Sequence, residues 1–163
     1  MIIRHADIKD FDSIVRIYED ARAFMKETGN PNQWGTTNPP PSRTIEDINT
    51  KKLYVACDEA TILGVFFFDF ANDPTYDKIY DGSWLNDEPY GVMHRVAISK
   101  DARGRGVAGF CFDFAYGICK NLKIDTHRDN LPMQRSLAKN GFVKCGIIHL
   151  ANGDERIAFQ KTE

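Results

Sequence analysis

Hydrophobic residues near the start of the chain recur at helical spacing. Between Phe11 and Met25 they fall three or four positions apart, and Asp7 precedes them as an N-cap candidate. An apolar stripe with this period lies along one face of a helix, so the pattern predicts an amphipathic helix over residues 8–27. Glycine and proline oppose continuation of a helix, which should therefore end before Gly29-Asn30-Pro31.

Elsewhere, short runs rich in β-branched and aromatic residues predict strands. These seven runs cover residues 1–4, 53–57, 62–70, 90–98, 122–126, 142–150 and 155–160. Three further helices are predicted over residues 44–50, 104–121 and 130–140, and the polar segment 31–42 is typical of a loop over a site. Asn152-Gly153 is a hairpin signal between the last two strands. Strands and helices alternate in the second half, which predicts a mixed α/β fold.

Length and composition narrow the class of protein. The 163 residues suit one domain, assigned to residues 1–163, and 42% hydrophobic with 27% charged residues is ordinary for a globular protein. A net charge of −2 without a long run of one sign argues against nucleic acid as a partner. The longest apolar runs, such as Val65-Phe66-Phe67-Phe68, are too short for a membrane span, which needs about 20 residues.

The four cysteines form no C-x-x-C pair, so we expect no zinc site and no metal cofactor. Buried free thiols are the ordinary state of such cysteines, and none has a neighbouring sequence that suggests activation. The first residues also lack the basic and apolar segments of a secretion signal. We therefore expect a reducing, cytoplasmic location.

The segment Arg103-Gly104-Arg105-Gly106-Val107-Ala108 is the strongest chemical signal in the sequence. It opens a predicted helix shortly after the predicted strand 90–98. The start of a helix presents unpaired N–H groups and a partial positive charge, and glycine lets the backbone approach a phosphate closely. The Lys-Ser/Thr pair of a P-loop and the full G-x-G-x-x-G of a dinucleotide site are both absent. A phosphate-binding loop of another kind and a simple tight turn both fit the segment.

This segment resembles the acetyl-CoA pyrophosphate loop of the GNAT superfamily of N-acetyltransferases, Q/R-x-x-G-x-G/A. Arg103 takes the first position, Gly106 the glycine position and Ala108 the last. A second stretch looks like the family block D-N-x-x-A-x-x-x-Y-x-K-x-G-F, through Asp129-Asn130 at its start and Lys139-Asn140-Gly141-Phe142 at its end. The two blocks stand in the family order and at a fitting distance.

The resemblance implies a fold, an acetyl donor and a reaction. The fold is a mixed, mostly antiparallel sheet of six or seven strands with helices on both faces, in which the strand with residues 92–98 splays from the strand with residues 123–126. Acetyl-CoA lies in this gap, and an amine attacks its acetyl group directly in a ternary complex. The residues expected to bind acetyl-CoA are Val96, Ala97, Ile98, Arg103, Gly104, Arg105, Gly106, Val107, Ala108, Asn130 and Met133.

The chain departs from the family pattern at Leu137. This residue stands where the second block carries the tyrosine that protonates the leaving thiolate. Either another side chain serves, or the thiolate leaves unaided, which a thiol pKa of about 8.5 permits. The departure also raises an alternative, a non-catalytic acyl-CoA sensor or pseudoenzyme.

Three residues are candidates for the base that deprotonates the attacking amine, a task suited to a pKa near about 7. His94 is the first, because strand alternation places it on one face with Val96 and Ile98. His127, just past a predicted strand, and Glu88, just before another, are the others. The alternatives are a hydrogen-bonded strand histidine, a solvated loop histidine and an exposed glutamate.

Three large aromatic residues suggest where the acceptor binds. Trp34 and Trp84 lie in predicted loops, and Tyr90 begins a strand. They either cap the core beneath long loops or wall an acceptor pocket, and the second is our hypothesis. The expected partners are acetyl-CoA and a small-molecule or peptide amine, with a homodimer compatible with the resemblance.

Overall fold

The computed structural model describes residues 1–163. The strands are β1 (Ile2–His5), β2 (Leu53–Asp58), β3 (Thr61–Asp69), β4 (Gly91–Ile98), β5 (Asn121–Thr126), β6 (Val143–His149) and β7 (Glu155–Thr162). The helices are α1 (Phe11–Glu27), α2 (Pro41–Asn49), α3 (Val107–Cys119) and α4 (Leu131–Lys139). Short 3-10 helices lie at Ile8–Asp10, Pro74–Tyr76 and Lys100–Ala102. Every predicted strand and helix is present, with boundaries that shift by a few residues.

Two helix boundaries differ from the predicted ones for local reasons. α2 begins at Pro41, because proline has the right φ for the first helical position and no N–H to leave unpaired there. α3 begins at Val107 rather than at residue 104, because Gly104 (φ +80°) and Gly106 (φ +77°) are in the left-handed region. Asp7 caps the 3-10 turn that leads into α1, as predicted.

The seven strands form one sheet in the order β1-β2-β3-β4-β5-β7-β6. Every neighbouring pair is antiparallel except β4 and β5, which are parallel. The predicted mixed, mostly antiparallel sheet is therefore confirmed. None of the helices has the length and hydrophobicity that a membrane span requires.

Helices cover both faces of the sheet, as the resemblance implied. α1 and α2 pack on one face, the α1 face, through buried residues such as Ile14 and Ile48. α3 and α4 pack on the opposite face, the α3 face, where Phe112 and Leu137 are fully buried. Leu137 is thus a core residue, and its side chain is closed off from solvent.

The contact between β4 and β5 is short. Two register pairs join these strands, Gly91 with Leu122 and Val92 with Lys123. β5 continues to Thr126 in its pairing with β7, and β4 continues along its whole length beside β3. The sheet therefore opens between β4 and β5 beyond Val92, where the backbone edges of both strands are free to meet a ligand.

A β-bulge at Arg95 interrupts the alternation of β4. Phe67 of β3 pairs with His94, whereas Val65 pairs with Ala97, so β4 holds one residue more than β3 between these pairs. Arg95 accommodates the extra residue with a φ of +51°. This conformation is unusual for a residue with a side chain.

The bulge corrects one expectation from the sequence. Strand alternation placed His94 on the same face as Val96 and Ile98. Instead, His94 lies beside Phe67 on the α1 face, whereas Val96 and Ile98 pack into the core of the α3 face. The extra residue at position 95 reverses the alternation between them.

The Arg95 side chain ties the bulge to α2. Its guanidinium donates to both carboxylate oxygens of Asp47, at 2.8 and 3.2 Å, and lies 4.5 Å from the centre of the Phe67 ring. The side chains are 17% exposed for Arg95 and 5% for Asp47. Tyr18 of α1 donates its hydroxyl hydrogen to the Arg95 carbonyl at 3.4 Å. Both helices of the α1 face therefore hold the irregular part of β4.

Replacing Asp47 with alanine should lower the free energy of unfolding by about 3 kcal/mol, because the Arg95 guanidinium would stay buried without its anion. Glu46→Ala is the matched control. Glu46 precedes Asp47 in the same helix, is exposed and meets Arg43 at 3.6 Å, so its loss should cost less than about 1 kcal/mol. Urea unfolding of both variants measures the difference. Equally small losses would mean that the Arg95–Asp47 pair does not hold the bulge.

Candidate active site

Two cavities meet where the sheet opens. The loop cavity, about 760 Å³ in volume, lies between α1, the start of α3 and α4. The histidine cavity, about 790 Å³, lies against β4 and β5 and contains His94. Met25, Val96, Asn130 and Met133 line both cavities. Ligands in the two cavities can therefore touch at the opening.

Ten of the eleven residues predicted to bind acetyl-CoA line the loop cavity. Arg105 is the exception, because its exposed guanidinium turns away and meets Asp58 at 3.5 Å. Arg103 does line the cavity, and its guanidinium lies 4.0 Å from the centre of the Phe24 ring of α1. This cation–π contact holds a positive charge at the edge of the cavity.

The loop before α3 presents amide groups without partners in the chain. The backbone N–H groups of residues 106–109 donate no hydrogen bond, as in the first turn of any helix. Gly104 and Gly106 have open space where a Cβ would stand, so the backbone can come close to a ligand. The 13-residue helix behind them adds a partial positive charge. This arrangement fits a pyrophosphate, and these amides would hold that of acetyl-CoA.

His94 lies between two carboxylates in the histidine cavity. Its Nε2 is 2.8 Å from an oxygen of Asp73, and its Nδ1 is 4.0 Å from an oxygen of Asp125. The exposed fractions of the three side chains are 24% for His94, 19% for Asp73 and 11% for Asp125. The imidazole is therefore held in place while one nitrogen still faces the cavity.

Asp73 fixes the tautomer of His94. Burial works to raise the pKa of Asp73, but hydrogen bonds from His94 and from the Thr75 hydroxyl and amide outweigh it and lower that pKa to about 2. Asp73 is therefore a carboxylate and can only accept, so the His94 Nε2 must carry the hydrogen. In the neutral form of the imidazole the lone pair is then on Nδ1, which lies 4.0 Å from Asp125. A histidine oriented by a carboxylate in this way is a suitable proton acceptor.

Tyr76 holds the Asp125 carboxylate in position. The Tyr76 hydroxyl donates to Asp125 Oδ2 at 2.7 Å. Burial, together with the Asp125 charge, raises the pKa of Tyr76 well above its ordinary value, so the tyrosine stays a donor. The 4.0 Å gap between Asp125 and the His94 Nδ1 leaves both groups able to meet a polar ligand group.

The three predicted acceptor-binding aromatics have different positions. Trp34 lines the histidine cavity and contacts Tyr18 edge-on. Trp84 does not line it: its indole N–H donates to the Tyr76 carbonyl at 2.9 Å. The Tyr90 hydroxyl accepts from the Asp73 N–H at 2.9 Å. Trp84 and Tyr90 therefore support residues of the site from outside it, which corrects the hypothesis that they wall the pocket.

Two base candidates lie outside both cavities. Glu88 is exposed near the end of β4 where the sheet is closed, and its carbonyl accepts from Asn121 at 3.3 Å. The His127 Nδ1 accepts from the Asp129 N–H at 3.0 Å. Burial and the nearby Arg156 charge lower the pKa of His127. Neither side chain is placed to take a proton from a ligand in the histidine cavity.

Gln33 is a site residue that sequence reasoning missed. Its Oε1 accepts from Asn130 at 2.9 Å and from Asn30 at 2.9 Å, which ties the loop after α1 to the start of α4. Asn130 also caps α4 by accepting from the Met133 N–H at 3.1 Å. The loop 31–42 thus closes one side of the histidine cavity, and no sequence pattern marks Gln33 within it.

Comparison with known proteins finds relatives in sequence and in fold. The sequence model of the acetyltransferase (GNAT) family matches residues 14–142. A GNAT-family acetyltransferase from Streptococcus agalactiae 2603 is 33% identical, with a TM-score of 0.90 over 99% of this chain and 95% of that chain. No curated protein is significantly similar to the chain in sequence.

More distant structures share the fold. A protein from Staphylococcus aureus Mu50 assigned to the acetyltransferases is 28% identical, with a TM-score of 0.69 over 99% of each chain. A chain of the NatC complex bound to Gag peptide and CoA is 13% identical, with a TM-score of 0.66 over 99% of this chain and 98% of that chain.

The stability that Asp73 contributes should depend on pH. A carboxylate with a pKa of about 3.9 in the unfolded chain and about 2 in the folded protein stabilises the fold above the first value. That contribution is lost as the pH falls through the pKa of the folded protein. Asp73→Asn should therefore have a lower free energy of unfolding than the wild type, and the difference should be larger at pH 6 than at pH 2. The two differences should be about 2 kcal/mol apart.

Urea unfolding of wild type and Asp73→Asn across this range measures the effect. Asp87→Asn, at an exposed position, reports the general consequence of removing a carboxylate. A deficit of Asp73→Asn that stays constant with pH would contradict the strong hydrogen bonding assigned to Asp73.

Proposed function

Since the chain belongs to the GNAT acetyltransferase family, we propose that it transfers the acetyl group of acetyl-CoA to an amine by direct attack in a ternary complex. The observation that carries this proposal is the meeting of the two cavities at the opening of the sheet. One cavity has the unpaired amides of a phosphate-binding loop, and the other has an oriented histidine. A donor and an acceptor held on the two sides would be positioned to react, which is itself a large part of catalysis.

The loop cavity is the donor side. Acetyl-CoA supplies an activated thioester acyl group. The amides of residues 106–109 bind the pyrophosphate, and Arg103 adds a positive charge. Beyond Val92, the edge of β4 facing β5 has no ladder partner, so backbone groups near Val96 and Ile98 can pair with an extended arm of the donor. Preorganised backbone N–H groups of this kind also suit the thioester carbonyl, whose oxygen gains negative charge during attack.

The histidine cavity is the acceptor side. His94 accepts a proton from the incoming amine at Nδ1, because Nε2 is occupied by its hydrogen bond to Asp73 at 2.8 Å. Asp125 lies on the same side of the ring and attracts the ammonium form of the acceptor. The base must first remove a proton before the amine has a lone pair for attack.

The departing thiolate receives no proton from a tyrosine of α4. Leu137 occupies that place and is fully buried in the core of the α3 face. The Tyr18 hydroxyl is engaged with the Arg95 carbonyl at 3.4 Å. We propose departure without a dedicated acid, as the ordinary acidity of a thiol allows.

The cysteines support direct transfer over a covalent acyl-enzyme. All four are free and buried, and burial raises the pKa of each thiol, that of Cys111 to about 12. A thiol held in its protonated form is a poor nucleophile. Four unpaired thiols also support a reducing compartment, and we propose the cytoplasm.

Replacing His94 with glutamine should lower kcat by about 100-fold or more, because the base is lost while the polar contact with Asp73 can persist. The dissociation constant for acetyl-CoA should stay unchanged, since His94 does not line the loop cavity. An amine screen that follows release of the CoA thiol supplies the acceptor, and calorimetry measures donor binding.

His127→Gln is the matched control and should keep kcat within a few-fold, because His127 lines neither cavity. The rise of kcat/KM with pH that reports an ionising base should be present in this control and absent in His94→Gln. Full activity of His94→Gln, or a large loss in His127→Gln alone, would assign the base elsewhere.

A further inference from the structure

We propose that Arg156 binds the carboxylate of the acceptor, which makes the acceptor a free amino acid. This inference rests on the proposed function, since it concerns the molecule that the histidine cavity takes. Arg156 lies on β7 and lines that cavity. Its guanidinium supplies a positive charge in the cavity that also contains Asp73, His94 and Asp125.

Arg156 is a buried cation without an anion. The residue is 7% exposed, and no carboxylate lies within 4.0 Å of its guanidinium. It donates to two carbonyls, that of Glu155 at 2.9 Å and that of Gln33 at 3.4 Å. A guanidinium has five N–H donors in a planar fork that matches a carboxylate. Several of these donors therefore have no partner in the chain, and Arg156 lines the cavity.

The partly buried Arg95 of the same cavity shows the contrast. The Arg95 guanidinium donates to both carboxylate oxygens of Asp47 and stacks on the Phe67 ring. Burying a charge without a partner is costly, and proteins retain such a group where something compensates it. Two carbonyls compensate part of the Arg156 charge, and a carboxylate bound in the cavity would supply the anion that the chain does not place within 4.0 Å.

The sheet places Arg156 at a useful distance from the reacting end. Asp125 of β5 pairs with Ala158 of β7, and Arg156 is two residues along β7 from Ala158. Residues in this diagonal relation share a face of the sheet and lie about 7–8 Å apart, with Cβ atoms somewhat closer. His94 approaches Asp125 to 4.0 Å from the other side. A cation and a group of carboxylates thus face one cavity within the span of a small molecule.

This pattern of charge matches a zwitterion. An amino acid carries an ammonium group and a carboxylate one carbon apart, so its ammonium can meet His94 and Asp125 while its carboxylate meets Arg156. A polyamine would leave Arg156 without an anion. A polyanion would set its charge against Asp73 and Asp125.

The test compares the twenty free amino acids with their primary amides and with spermidine as acceptors. The wild type should acetylate its best amino acid at least about 100-fold more efficiently, in kcat/KM, than the amide of the same residue. Arg156→Gln should lose about 10- to 100-fold on the free amino acid and nothing on the amide, so that the preference falls by the same factor. Arg156→Lys, which keeps the charge but not the fork, should fall between them.

Arg128→Gln is the matched control, because Arg128 is exposed in the neighbouring β5–α4 connection and lines neither cavity. It should keep the preference for free amino acids. The melting temperature and the acetyl-CoA affinity of each variant report folding. As a readout without turnover, the 2-hydroxy acid matching the best amino acid should bind the wild type in calorimetry and bind Arg156→Gln at least about 10-fold more weakly.

Two results would overturn the proposal in distinguishable ways. If amides or spermidine are acetylated as well as free amino acids and Arg156→Gln behaves as wild type, the carboxylate site is wrong while the transferase stands. If the wild type binds acetyl-CoA but acetylates no amine at all, the proposed function fails, and the inference about Arg156 fails with it.

Discussion

The parting of β4 from β5 is the constraint on which the rest of the site depends. After two register pairs the strands separate, although each remains paired to its outer neighbour. Backbone groups in the interior of a sheet ordinarily satisfy one another. Here they are left for a ligand, and the opening joins the loop cavity to the histidine cavity. Without that gap the sheet would separate the two faces completely.

The bulge at Arg95 decides which side chain serves which face. One additional residue in β4 directs Val96 and Ile98 toward the α3 face while His94 stays on the α1 face. β4 can thus border the loop cavity with one part and the histidine cavity with another. The strain of a positive φ at Arg95 is offset by its ion pair with Asp47 and its contact with Phe67. Helix α2 therefore holds the bulge of β4 in place through Asp47.

Much of the fold can be predicted from hydrophobic periodicity, and the loop before α3 can be predicted from its glycines. Amphipathic spacing predicts α1, and alternating or apolar runs predict the strands, because burial of a face imposes these periods locally. The two glycines before α3 need positive φ, which is a property of the residues themselves. These features are encoded within short stretches of chain, so a sequence shows them.

The histidine cavity depends on contacts between distant segments, and the sequence shows less of it. Asp73 meets His94 across 21 positions, and Gln33 meets Asn130 across 97. Neither Asp73 nor Gln33 belongs to a periodic element, and the bulge at Arg95 has no pattern that separates it from a regular strand. Trp84 was expected in the pocket because large aromatics in loops are conspicuous, yet it packs behind Tyr76. Position in the fold, rather than residue type, determines these roles.

Calorimetric titration with acetyl-CoA is the most direct test of donor binding at the loop before α3, using wild type, Gly106→Asp and Gly153→Asp. Both glycines have positive φ and open space at the Cβ position, so the substitutions carry similar strain, but Gly153 lies in the turn between β6 and β7. We expect saturable binding by the wild type and Gly153→Asp, and none by a folded Gly106→Asp, whose carboxylate would repel the pyrophosphate. Absence of binding by well-folded wild type, or equal binding by all three proteins, would contradict this expectation.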